Sequence, residues 1–153
     1  MSDTRRIFWL LITLPFLLLL ALALRDLISA LWDQKKLGDA AFGGVEWARA
    51  NSFDQSGITT AAQSAADLPQ VKVMSWSACG CPSGGRIFQF KCDAKCPAGQ
   101  LPHRYVVVTT SVCFSPVLAW PGVAQCQSGN SQCDTAGCTA HQVLLSAQSI
   151  ALQ

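Results

Sequence analysis

Eight cysteines and two histidines are the side chains whose spacing could build a metal site, a redox centre or cross-links. The cysteines are Cys79, Cys81, Cys92, Cys96, Cys113, Cys126, Cys133 and Cys138. None of them forms the C-x-x-C pair on which thiol-disulfide exchange depends, so redox catalysis is not expected. A structural zinc site wants paired C-x2-4-C knuckles. Cys92 and Cys96 have that spacing, but Cys79 and Cys81 are too close. His103 and His141 are too few for a metal triad or a hydrolase arrangement, and they read as solvated junction residues. No phosphate loop, dinucleotide fingerprint, nucleophile elbow or H-E-x-x-H stretch is present. The chemistry left to the cysteines is cross-linking, and the chain reads as non-enzymatic, with no cofactor and no metal.

The elements that position these cysteines show in the change of hydrophobic period. Val71, Val73 and Ser75 alternate with Lys72, Met74 and Trp76, which predicts a strand ending near Cys79. Arg104–Phe114 (RYVVVTTSVCF) is dense in β-branched residues and predicts a second strand. Gln142–Gln153 predicts a third, with a helix as its rival. Two long connections, Gly80–His103 and Ser115–His141, join them. Connections of this length are uncommon unless pinned or functional. Cys79, Cys81, Cys92 and Cys96 bracket the first, and Cys113, Cys126, Cys133 and Cys138 the second. Pairing within each set leaves three connectivities per set and nine in all, against 105 for eight unrestricted cysteines. Upstream, the Ala-rich Ser56–Asp67 predicts a short helix closed by Leu68-Pro69.

The N-terminal third is different in kind. Ile7–Leu24 is an uncharged run of 18 residues, at the lower end of a bilayer span. Arg5 and Arg6 precede it, and this bias favours an N-terminus inside the cell. Helical periodicity continues past the run: Leu20, Leu24, Leu27 and Leu31 form one stripe, and Leu37, Ala41, Val45 and Ala48 a second. A continuous helix from Ile7 to Ala50 would be about 66 Å long, roughly twice the hydrocarbon thickness. Pro15 reads as a kink, which membrane helices tolerate. Gly38, Ala41, Gly44 and Ala48 would let a sheet or another helix lie close against the stalk, whereas Gly43-Gly44 could equally break it. Glu46 and Arg49 are spaced for an i, i+3 ion pair. The rival reading is a cleaved signal covering residues 1–23, since Ala21-Leu22-Ala23 is a small-x-small pattern.

Composition limits the partners. The chain has 153 residues and a formal charge of +2, and its longest basic cluster is Lys35-Lys36. This leaves no footprint for nucleic acid, and nothing indicates a small-molecule substrate. A polar outer region of about 100 residues has a thin core, which disulfides worth typically about 2 to 4 kcal/mol each would offset. Disulfides in turn imply an oxidising compartment.

An apolar run broken by proline (LITLPFLLLLALAL), followed by the small-residue stretch LGDAAFGGVEWARAN from Leu37 to Asn51 with its Ala48-Arg49 pair, resembles the TadE-like family of Flp/Tad pilus minor pilins. The likeness covers the first third of the chain. It implies a type IV pilin-like α+β fold, in which a long N-terminal helix leads into a small antiparallel sheet with disulfide-closed loops. It also implies a membrane protein whose partners are other pilins or pilus assembly platform proteins. The family's Gly-x4-Glu processing motif has no counterpart here: Trp9 stands six residues before Pro15, and no glycine precedes Gly38. The resulting expectation is a cytoplasmic tail (1–6), a transmembrane helix (7–24), a helical stalk (25–51) and a small disulfide-stapled periplasmic domain (52–153). The chain would sit as a single-pass protein in a bacterial inner membrane. The alternatives are a secreted disulfide-rich binding module and an accessory subunit of an envelope complex.

Overall fold

The computed structural model describes residues 2–68, 70–83, 86–89, 91–97, 99–118, 125–126 and 131–152. For residues 2–8, 10, 11, 83 and 86 only the backbone is described. Pro69, expected to close the second helix, and Gln153, expected in the last strand, lie outside the described residues.

Helix α1, Ser2–Asn51, is one uninterrupted element of 50 residues, about 75 Å long at 1.5 Å per residue. Pro15 lies inside it without ending it. The break considered at Gly43-Gly44 does not occur. Ser52 turns out of the helix with a positive φ of 67°. Asp54 then caps α2, Gln55–Ala66, by accepting hydrogen bonds from the Ser56 and Gly57 backbone amides, the arrangement favoured for an aspartate before a helix. Asp67, in the left-handed conformation, terminates α2, and its carboxylate meets the Lys36 ammonium at 3.3 Å.

Strands β1 (Lys72–Ser83), β2 (Arg86–Gln89), β3 (His103–Phe114) and β4 (Val143–Leu152) form one antiparallel sheet in the order β2-β1-β3-β4, with a short helix α3 (Ser131–Ala136) before β4. The α+β architecture expected from the sequence is the observed one. Two boundaries differ. β1 continues past Cys79 to Ser83, and the first long connection contains β2, which returns along β1 from Ser83↔Arg86 to Gly80↔Gln89. Glycine at position 80 makes that approach possible, because a Cβ there would come 2.5 Å from Ile87 Cγ2 and 3.0 Å from the Phe88 carbonyl. The second long connection contains α3. The last segment is a strand, not the rival helix.

The chain divides into two compact units: Met1–Trp32 with Cys113–Val143, and Asp33–Val112 with Leu144–Gln153. The second holds both hydrophobic clusters. Val45 and Ala48 of α1 pack with Ile58 of α2 and with Val106 and Val108 of β3. Leu37 and Ala40 pack with Ala66 and Val71, flanked by Val112, Leu145 and Ala147. These residues share one side of α1 because positions three, four and seven apart align on a 3.6-residue helix. The buried Thr110 hydroxyl donates to the Leu37 carbonyl at 2.8 Å, tying β3 to the helix backbone through its only polar inward side chain in that stretch. Burial leaves such a group costly unless it is paired.

Candidate functional site

The residues singled out from the sequence fall on two surfaces, the long helix and the cysteine-closed loops. On α1, Ala41, Gly44 and Ala48 are buried. Gly44 is the closest approach. A Cβ there would meet Val108 Cγ1 at 3.1 Å, and Ala62 Cβ and Ile58 Cγ2 at 3.3 Å. Gly43 has the same role against α2, where a Cβ would lie 2.9 Å from Ala65 Cβ. Gly38, expected on the same packing stripe, is exposed, with nothing within 4 Å of its Cβ position. Angle alone does not account for this: Gly38 stands seven positions before the buried Val45 and so on nearly the same side of α1, but no packed group reaches its Cβ position at that level. A further close contact joins α1 to α2, where the Trp47 indole lies over Gly57. Glu46 and Arg49 form the expected exposed pair at 2.9 Å.

All eight cysteines are paired, and each bond stays within its own set: Cys79–Cys92, Cys81–Cys96, Cys113–Cys138 and Cys126–Cys133. Cα separations of 5.1 to 5.7 Å are those a disulfide requires. Cys79 and Cys81 are alternate residues of β1, and their bonds tie the segment before β3 to that strand. In the other set, Cys113 near the end of β3 holds Cys138, and Cys133 on α3 holds Cys126. Ile87 and Phe88 of β2 are exposed beside the first set.

Two features escaped sequence reasoning. Asp26, which reads as a stalk charge beside Arg25, is buried, with 4% of its surface exposed. Its Oδ2 accepts hydrogen bonds from the backbone amides of Val117 at 2.8 Å and Leu118 at 3.0 Å. No spacing rule links residues 91 positions apart, so nothing in the sequence marks the contact. The second is the Asp54 cap, whose signal, an aspartate just ahead of a helical segment, could have found it. Its hydrogen bonds from the Ser56 hydroxyl and from the Gly57 and Ser56 amides hold its carboxyl below the usual value of 3.8.

His103 opens β3 and His141 precedes β4. Both are exposed, and His141 Nδ1 lies 3.4 Å from Gln125 Oε1. Among the described residues no group of three or more His, Cys, Asp or Glu side chains is placed to hold a metal. The other half of α1 presents apolar surface instead. Leu14 and Phe16 to Leu20 are exposed, and only 11% of the most apolar stretch is buried. α1 is long and apolar enough to cross a membrane, so a chain with one candidate span among its described residues and four disulfides is compatible with a membrane-anchored or a secreted disulfide-rich protein. Compared with known proteins, the chain matches no family model, no curated protein and no solved structure.

Proposed function

We propose that the chain is a non-enzymatic, pilin-like membrane protein that supports assembly of a Flp/Tad-type pilus, as a minor subunit or a membrane-held scaffold. The observation that carries this reading is the division of labour along α1. One unbroken helix exposes an apolar half suited to lipid or to neighbouring helices, and uses its other half as the spine of a four-stranded antiparallel sheet. The small residues at Ala41, Gly44 and Ala48 and the disulfide-closed loops serve that architecture. The exposed Ile87 and Phe88 beside the Cys79–Cys92 and Cys81–Cys96 bonds are the face offered to other pilins or to platform proteins. The disulfides favour a location outside the cytoplasm, with Ile7–Leu24 in the inner membrane and the cysteine-rich part in the periplasm. Affinity isolation of the intact protein from its native membrane is expected to recover pilins or secretion-platform subunits, and deletion is expected to impair piliation. Recovery of neither, with normal piliation in the deletion strain, refutes the proposal.

The secreted-module reading draws on Ala21-Leu22-Ala23, but those residues lie in the middle of α1. The intact mass of the membrane-extracted protein separates the two. Retention of the segment before Leu24 is expected, and a mature start at Leu24 favours the secreted module.

A further inference from the structure

The apolar surface of α1 does not stop at Leu24. Leu27, Ile28, Leu31 and Trp32 are each about half exposed or more. At 100° per residue they continue the side that carries Leu20 and Leu24. The opposite side of this segment is occupied: Ala30 is buried, and Asp26, one turn below it, is the carboxylate that holds the Val117 and Leu118 amides. An aspartate ordinarily bars a segment from lipid, because an unpaired carboxylate there is expensive. Here it is turned inward and given two donors. Arg25 is the only other charge between Ile7 and Trp32. It stands about 10 Å below Trp32 along the helix, close enough to the boundary for its side chain to reach the headgroups.

Two exposed tryptophans mark the ends of the continuous surface. Trp9 and Trp32 are 62% and 60% exposed. They lie 23 positions apart, about 35 Å along a helix, which matches the spacing between the two aromatic belts flanking a hydrocarbon core of about 30 Å. A span ending at Leu24 would leave this half-turn-wide apolar strip in water. Beyond Trp32 the surface changes, with Asp33, Lys35, Lys36 and Asp39 following in close succession.

We infer that the membrane covers α1 as far as Trp32, and that Val117 and Leu118, latched to the helix by Asp26, are seated in the headgroup and upper acyl region with Val117 facing lipid. Val117 is itself 58% exposed, and it is held at the level of Asp26 by its amide. The inference rests on the membrane reading above but not on the pilus. It moves the boundary by eight residues from the one the uncharged run suggests and makes the Val117-Leu118 segment part of the anchor.

Benzoylphenylalanine incorporated singly at Leu20, Leu31, Phe42 and Val117 of the full chain, reconstituted in phosphatidylethanolamine and phosphatidylglycerol vesicles, tests this by the mass of the photoadducts. Lipid adducts are expected at positions 20, 31 and 117 and not at Phe42, which is exposed on the same side of α1 about 15 Å beyond Trp32. In an Asp26→Ala background the lipid adduct at 117 is expected to fall while that at 31 persists. Asp26→Asn, which keeps an acceptor oxygen, is expected to retain part of it. Lipid at 20 but not at 31 and 117 overturns the inference and leaves the membrane reading standing, whereas absence of lipid at 20 removes both. Adducts at 31 and 117 to a second copy of the chain, or lipid at 42 equal to that at 31, also overturn it.

Discussion

Gly38 and Gly44 lie in the same helix and carry the same intrinsic penalty, so replacing each by alanine isolates what surrounds them. Alanine is favoured over glycine in a helix interior by about 0.8 to 1 kcal/mol. At Gly38 the new methyl meets nothing within 4 Å, and the whole gain should appear as stability. At Gly44 the methyl enters a space bounded at 3.1 to 3.3 Å by Val108, Ala62 and Ile58. All three are fully buried and cannot retreat toward solvent. Overpacking of this kind costs about 1 to 3 kcal/mol, so the helix gain is cancelled or exceeded, for a net loss of about 0 to 2 kcal/mol. The two variants should therefore differ by about 1 to 3 kcal/mol. At about 4 °C per kcal/mol for a domain of this size, Gly38→Ala should melt about 4 °C above the parent and Gly44→Ala at or below it. Thermal unfolding of the intact chain in detergent, followed by near-ultraviolet circular dichroism of the tryptophans, reads both. A Gly38→Ala variant as damaged as Gly44→Ala would show that Gly38 is packed and that the buried side of α1 has been assigned wrongly. A Gly44→Ala variant stabilised by the full helix gain would show that the core has room for the methyl.

The disulfides should rank by the loop each closes. Replacing both Cys113 and Cys138 by alanine opens a 25-residue separation and should cost about 3.5 kcal/mol, whereas the same change at Cys126 and Cys133, separated by 7, should cost about 2.3 kcal/mol in the chain-entropy account. Denaturant titration measures the order, and peptide mapping without reductant checks the four pairings. Asp54 should impose an acid limit on α2. Because its folded-state pKa is depressed, the carboxylate's contribution is present above its ordinary value and is lost as pH falls through the lowered one. Protection of the Ser56 and Gly57 amides, taken relative to their intrinsic exchange at each pH, should therefore fall below about pH 4, and Asp54→Ala should abolish that fall.

The helix and the strand-rich segments follow from local pattern. Leu37, Ala41, Val45 and Ala48 recur at the helical period and are all buried, and Arg104–Phe114 is too rich in β-branched residues to be anything but a strand. The confinement of the disulfides to two sets also followed from sequence, because a cysteine at each end of a connection has its nearest partners across that connection. The choice among nine connectivities did not, since it depends on which Cβ atoms the folded strands bring within bonding distance, and spacing along the chain is silent about that. β2 was hidden for a related reason. A strand of four residues has too few positions to show alternation, and it exists because Gly80 lets Ile87 and Phe88 lie against β1. Exposure of Gly38 could not be read from its angle on the helix, which is nearly that of the buried Val45 seven positions on. Nor could the burial of Asp26: a carboxylate next to an arginine on a helix looks solvated until the amides of Val117 and Leu118, 91 and 92 positions away, are folded against it. Periodicity along the chain determined the long helix with its buried side and the strands β1 and β3, and left β2, α3 and the choice between strand and helix for β4 open. Tertiary structure decided which polar groups are satisfied and which cysteines bond, because hydrogen bonds and disulfides depend on distances between atoms remote in sequence, and only the packed chain sets those.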